Sequence, residues 1–384
     1  MATSNVYGTG LNSTAGANTI VHYYDRAGIK AANRINVYGQ WADRKSMPTK
    51  MGKTFKISRF EHMYDRSTAD GDFAAKGFMT ARTADEVSVA LTSAALAEGA
   101  GAVNKKTLHK LTFETTLARY GEMIDYTDEV DIFSEDYIQV KYREELGELA
   151  NSRYEDLIQL DLLSTGTVIY AGDATSMATV GANAVSYKVT YDLIRKGVKK
   201  LTRNRAKKNT SIVTGSTKIG STPIAKAFYA IIGADVKADL ESAVRGTVAA
   251  NGTTEFVYIP AHKYAGAATL AEGEVGGMHE VRFVESEGAV VYEGAGAAVG
   301  ANNVGLANNG TNVNVYPILF PTEGAFATIG LKGHEKIKFN SKSPEMVENA
   351  NPYGTTGFFS YNFFYAGILL REEAVLKMLV AASA

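Results

Sequence analysis

The chain has 384 residues with 40 Lys plus Arg against 41 Asp plus Glu, a formal net charge of -1, so it lacks the uniformly basic footprint of a dedicated nucleic-acid binder. Zero cysteines excludes disulfides, thiolate zinc sites, iron–sulfur ligation and cysteine nucleophiles together. With 45% apolar residues, 37 Gly, 21 Tyr and 16 Phe, the composition is that of a large globular chain rich in loops and aromatics, not a disordered one.

The polar start, MATSNVYGTGLNSTAGANTI, has neither the basic region nor the apolar run of a signal peptide. No stretch reaches the roughly 18 apolar residues of a membrane helix; the nearest, Phe358 to Leu370, is broken by Ser360, Tyr361 and Asn362. A soluble, cytoplasmic chain with no membrane partner is expected. Residues 1–50 show no sustained period beyond a short helix at Tyr23 to Asn33, and read as an extended arm that carries the only tryptophan, Trp41. In GKTFKISRF (52–60), Phe55, Ile57 and Phe60 are set among Lys53, Lys56 and Arg59, the near-alternation of a short strand. Residues 64–104 then dissolve into Asp, Gly, Ala, Ser and Thr, a length that points to a functional excursion rather than a connection. Leu111, Phe113 and Thr115 return the chain to strand.

Ser134 is placed to cap a long helix, with Glu135 and Asp136 in its first turn where the dipole favours negative charge. Its apolar stripe runs through Ile138, Tyr142, Leu146, Leu149, Ala150, Leu157 and Leu160 to a stop at Thr165-Gly166, about 45 Å of helix. A second helix is expected from Ser186, with Tyr187, Tyr191, Ile194, Val198 and Leu201 on the buried side and basic residues over much of the rest. A strand at Ser211 to Thr214 and a helix over AKAFYAIIGADVKADLES follow, then short strands between Gly/Ala/Asn loops over 255–315. VNVYPILF (313–320) reads as a buried strand, and the C-terminal region as one long strand running into a short helix. Helices and strands interleave irregularly, so the class is α+β.

The near-zero total charge is a cancellation. Residues 1–120 hold 16 basic and 10 acidic residues, 121–164 hold 3 and 13, and 186–218 hold 10 and 1, so the net charges are +6, -10 and +9. Such blocks pair within one fold or between copies of a self-assembling subunit, where complementary charge steers and registers association.

No catalytic, cofactor or metal constellation emerges. The six histidines are scattered, and neither His279-Glu280 nor His334-Glu335 has the second histidine of a zinc-protease helix. Gly215 to Thr222 has the glycine spacing of a phosphate loop, but Ser221 stands where lysine is required. Asp125, Asp128, Glu129 and Asp131 read as a solvated acidic turn rather than an acid/base pair. A non-enzymatic chain without a cofactor is expected.

Several motifs fall in order along residues 52–370: Gly52-Lys53-Thr54 with Arg59-Phe60-Glu61, Leu96-Ala97-Glu98-Gly99, and Tyr120-Gly121 with Asp125, Thr127 and Asp128. Gly273-Glu274-Val275-Gly276 followed by Val281-Arg282-Phe283-Val284-Glu285, and Asn351-Pro352-Tyr353-Gly354 leading to Tyr365, Ala366, Ile368 and Leu369, complete the set. In this order they resemble the motifs of tailed-phage major capsid proteins with the Hong Kong 97-type fold, and in particular the phage N-four-like capsid family. His62 stands where that family usually has proline, and Gly354 to Phe359 replaces more charged text.

The resemblance implies an N-arm (1–50), a strand (51–60) leading into an extended loop (61–110), and a peripheral domain (111–212) with a spine helix (134–164). An axial domain (213–345) and a C-terminal strand and helix (346–384) returning to both domains complete the expected division. It implies a virion subunit assembled in a bacterial cytoplasm into pentamers and hexamers around double-stranded DNA, with portal, scaffolding and decoration proteins as further partners. Candidate inter-subunit or DNA contacts are Lys53, Lys56, Arg59, Lys105 and Lys106 near the loop, Asp128, Glu129 and Asp131 before the spine helix, and Lys196, Lys199, Lys200 and Arg203 on the basic helix. A nanocompartment shell of the same fold and a DNA-binding module built on the 186–218 helix remain as alternatives.

Overall fold

A computed structural model describes residues 36–60, 84–96, 98–99, 108, 110–133, 138–183, 185–209, 226–243, 257–263, 270–347 and 351–384. The expected helix at Tyr23 to Asn33, the Ser134 cap, the Ser211 to Thr214 strand, the Gly215 to Thr222 segment, and Lys105 and Lys106 lie outside these residues. In chain order the elements are β1 (Asp43–Met47), β2 (Thr54–Phe60), α1 (Ala84–Ala94), β3 (Lys110–Thr116), β4 (Ala118–Thr127), α2 (Asp128–Phe133) and α3 (Ile138–Leu163). There follow β5 (Val168–Tyr170), α4 (Tyr191–Arg203), β6 (Phe228–Ile232), α5 (Ala234–Glu241), β7 (Ile259–Pro260), β8 (Glu274–Met278) and β9 (Val281–Glu285). The chain ends with β10 (Tyr316–Phe320), β11 (Phe326–Leu331), β12 (Lys338–Lys342), β13 (Thr356–Leu369) and β14 (Leu376–Val380).

Three sheets organise the described residues. A five-stranded sheet runs β1-β11-β13-β12 with β4 also on β13, a seven-stranded sheet runs β5-β14-β10-β6-β9-β8-β7, and β2 with β3 forms a hairpin of its own. The long β13 is the backbone of the first sheet: its buried positions alternate, Phe359, Tyr361, Phe363 and Tyr365 facing α3, as a strand with one covered face requires. At Gly121 of β4 the Tyr361 carbonyl of β13 stands 2.5 Å from where a side-chain Cβ would be, which is why glycine follows Tyr120 there.

The seven-stranded sheet is covered on both faces. One core packs Phe228, Ala230, Ile232, Phe283 and Ile318 with Ile194, Val198 and Leu201 of α4; the other packs Tyr229, Ile231, Val284 and Leu319 with Leu146, Ile158 and Leu162 of α3. Thus α3 is the element that both large sheets share. Two polar residues on its buried side hold the N-terminal segment. Glu155 accepts from the backbone N–H groups of Val37, Tyr38 and Gly39 at 3.0, 2.7 and 3.2 Å, and Gln159 donates to the Tyr38 hydroxyl at 2.8 Å.

Several expectations are corrected. Residues 84–94 are helical rather than patternless, since an Ala-rich run needs no apolar stripe to favour helix. Leu149 and Leu160 of α3 face outward; the buried stripe is Leu146, Ala150, Ile158 and Leu162, interrupted by Glu155 and Gln159. The basic helix starts at Tyr191, capped by Thr190, whose side chain accepts from the Leu193 N–H at 3.2 Å. Ser186 does not start it: residues 186–190 are not helical, and the Tyr187 carbonyl accepts from the Ala381 N–H. The helix expected from Ala225 is instead a fully buried strand, β6, followed by α5; burial on both faces erases the period that separates strand from helix. The expected C-terminal helix is a short 3-10 turn (Glu372–Ala374) and β14, antiparallel to β10 and parallel to β5. In the sheets themselves, α4 packs on the seven-stranded side, and β11 and β12 belong to the five-stranded sheet.

Candidate assembly surfaces

The β2–β3 hairpin has two unlike faces. Phe55, Ile57 and Phe113 pack onto the cluster formed by Met47, Leu117, Ala327, Ile329, Ala366 and Ile368, rooting the hairpin on the five-stranded sheet. The opposite face is exposed, and there Lys56 pairs across the strands with Glu114 at 2.8 Å while Lys110 lies over the Phe60 ring. Hydrogen bonding and charge from each partner hold the Lys56 amine above and the Glu114 carboxyl below their ordinary ranges. Lys53 is exposed in the turn before β2, where its carbonyl accepts from the Leu117 N–H at 2.9 Å.

Arg59, on the inner face, is engaged within the chain. Its Nη1 lies 2.7 Å from Oε1 of Glu373, which Arg371 Nε also approaches at 3.3 Å. The Glu373 carbonyl accepts from Asn204 Nδ2 at 2.7 Å, and Arg371 Nη2 donates to the Asn204 carbonyl at 3.3 Å. Burial pushes the Glu373 carboxyl up, but the Arg59 hydrogen bond and charge, helped by Arg371, more than offset it, and the group sits below the ordinary carboxylate range. This node ties the hairpin, the end of α4 and the crossing between the two large sheets to one another.

The acidic region lies on β4, α2 and α3. The Asp128 carboxylate accepts from the Glu129 N–H at 2.9 Å at the start of α2, and Glu129 is exposed. Asp131 is in α2, but its side chain is outside the described residues. Further along, Arg153 of α3 bridges to Glu122 of β4 at 3.3 Å, and Glu122 also accepts from the Tyr361 hydroxyl at 2.9 Å. Burial and this carboxylate push the Tyr361 hydroxyl up to about 12.

On α4, Lys196, Lys199 and Arg203 are exposed, as is Arg195, which pairs with Asp192 one turn back at 3.3 Å. Lys200 is turned inward: its Nζ donates to the Val168 carbonyl at 3.1 Å, and burial, with the nearby Lys196 charge, lowers its amine from the ordinary range. The structure therefore separates the sequence-derived candidates. Lys53, Lys56, Glu129, Lys196, Lys199 and Arg203 are surface charges, whereas Arg59 and Lys200 hold the fold's own groups.

Sequence reading missed the apolar side chains on the same surfaces. Ile132 and Phe133 of α2 are 69% and 80% exposed, and Met123, Val140, Phe339 and Tyr353 also face outward. The available signal was an apolar pair within an acidic stretch too short to continue a helical stripe. Among the described residues, no group of three His, Asp or Glu side chains is arranged to hold a metal ion, and no helix is long and apolar enough to cross a membrane.

No protein-family model matches the chain. Over 380 residues it is 28% identical to the major capsid protein of Pseudomonas phage KPP21, covering 95% of this chain and 93% of that protein. Among solved structures it is similar to the capsid of Ralstonia phage GP4, with a TM-score of 0.60 and 11% identity over 98% of this chain and 99% of the other. It is also similar to the capsid of cyanophage P-SCSP1u, with a TM-score of 0.54 and 13% identity over 99% and 100%. Hairpin, long helix and two unequal sheets, together with this likeness over nearly the whole length, make the fold the Hong Kong 97-type phage capsid fold.

Proposed function

We propose that the chain is the major capsid protein of a tailed double-stranded DNA phage, a structural, non-enzymatic subunit of the icosahedral head, within the N-four-like group. The observation that carries this is the 28% identity to a phage major capsid protein along nearly the full length of both chains. The ordered motifs support the narrower group, and several coincide with positions the fold constrains. Gly273 takes a φ of +78° at the turn into β8, a conformation glycine adopts without strain. Asn351 closes the turn before β13 by donating to the Thr356 carbonyl and accepting from the Thr355 N–H.

In this reading the seven-stranded sheet with α4 and α5 is the axial domain, and the five-stranded sheet with α3 as spine helix is the peripheral domain. The β2–β3 hairpin is the root of the extended loop reaching a neighbouring subunit, and residues 1–50 belong to the N-arm. Subunits meet in pentamers and hexamers through heterologous contacts that close into a shell. The exposed face of α4 contacts packaged DNA through phosphates, without reading bases. Portal, scaffolding and decoration proteins are the further partners of such a shell.

The test is electron microscopy of the purified chain, expressed alone and with the other virion proteins. Closed icosahedral particles are expected. A chain that stays monomeric at high concentration under both conditions yet binds DNA tightly overturns the reading in favour of a DNA-binding module.

A further inference from the structure

Two exposed features near the start of α3 are opposite in charge, and neither is filled by the described residues. The first is α2, a six-residue helix that presents Val130, Ile132 and Phe133 to solvent beside the carboxylates of Asp128 and Glu129. The second is a cleft of about 350 Å³ between α3, β12 and β13, lined by Arg143, Leu146, Phe339, Asn340, Ser341 and Phe359. Its floor is apolar, since Leu146 and Phe359 are core residues, and Phe339 forms an open wall at 53% exposure. Arg143 lies over the Phe359 ring at 4.9 Å and has no carboxylate partner among the described residues.

We infer that α2 of one copy seats in this cleft of a neighbouring copy, with Phe133 packed between Phe339 and Leu146 and Glu129 meeting Arg143. A cavity of about 150 Å³ with apolar walls accepts a benzene ring, so the cleft has room for the Phe133 ring and part of Ile132. Phe133, at 80% exposure, is not seated in its own chain's cleft and is available to a second copy. Charge selects the same partner, because the protruding element carries Asp128 and Glu129 and the cleft carries Arg143. The element and its receptacle are different surfaces, so the contact is heterologous and repeats from copy to copy until a ring closes. The inference rests on the capsid reading and names one of its subunit contacts.

The absence of cysteine from the chain permits a direct test. A Phe133→Cys chain and a size-tagged Phe339→Cys chain are assembled together and oxidised. The expected product on a non-reducing gel is a disulfide dimer containing one chain of each kind, absent from shells of either variant alone. Mixed shells that form but stay monomeric after oxidation overturn the inference and leave the capsid reading standing. Failure of the wild-type chain to form shells overturns the capsid reading itself, and the inference with it.

A second measurement tests the charge pair of the same contact. Arg143→Glu is expected to lower the yield of shells about tenfold or more, and Arg143→Glu with Glu129→Arg in the same chain to restore it, at an unchanged subunit melting temperature. Equal shell yields from wild type, single and double variants overturn the contact.

Discussion

The two large sheets differ in what they leave uncovered. In the seven-stranded sheet, β6 and β10 are buried at every position, and large exposed apolar side chains on that side of the chain are limited, among the described residues, to Val185, Ile259, Val299 and Val304. The five-stranded side, with its hairpin and α2, exposes Phe60, Tyr120, Met123, Ile132, Phe133, Val140, Phe339, Met346, Val347 and Tyr353. Scattered apolar residues are ordinary on a protein surface, but a concentration on one half marks where other molecules are met. One half completes its core within the chain; on the proposed capsid reading, neighbouring subunits finish the other.

Three substitutions probe this contrast. Phe283→Ala, at a fully buried position of β9, empties core space that nothing outside the chain refills. It is expected to destabilise the isolated subunit by about 3–5 kcal/mol in denaturant titration. A loss as small as that of a surface substitution would refute the self-contained core.

Glu373→Gln strikes the node between hairpin, α4 and the sheet crossing. Removing one partner of a largely buried ion pair leaves Arg59 and Arg371 uncompensated, an expected cost of about 3 kcal/mol. In the wild type the folded-state pKa of Glu373 lies below its unfolded value, so its contribution is complete above about pH 4.3 and disappears as pH falls through the folded value. The glutamine variant is expected to lose that part of the acid dependence, measured as stability against pH.

Asp161→Asn has the smallest effect and the opposite sign. Burial raises the Asp161 carboxyl, only partly countered by the hydrogen bond it accepts from the Tyr365 hydroxyl. A raised folded-state pKa means that stability is lost as pH rises from about 3.9 through the folded value. An uncharged acceptor at this position is expected to raise stability at pH 7 by up to about 1 kcal/mol, with no gain at acid pH. Thermal melts at both pH values measure it.

Much of the five-stranded half is readable from local sequence because its elements have one covered face. The alternation of Phe55 and Ile57 with Lys56, the span of α3 and the long β13 survive into the structure, although Arg59 rather than Phe60 continues the inner face of β2. The seven-stranded half is harder: β6 and most of β14 are buried on both faces and read as helices, since burial on both sides leaves little period to detect. For the candidate surfaces the order reverses. The charge blocks are visible in the sequence, but whether Arg59 or Lys200 is free or held depends on Glu373, 314 residues away, and on the Val168 carbonyl.

The sequence by itself determined the charge segregation, the lack of cysteine, the ordered motifs and the one-sided elements, because composition and local period are properties of neighbouring residues. Only the tertiary structure decided which apolar and charged side chains remain outside. Exposure at Phe133, Phe339 and Arg143 is set by what packs around them from elsewhere in the chain, and it is those side chains that point to a neighbouring copy.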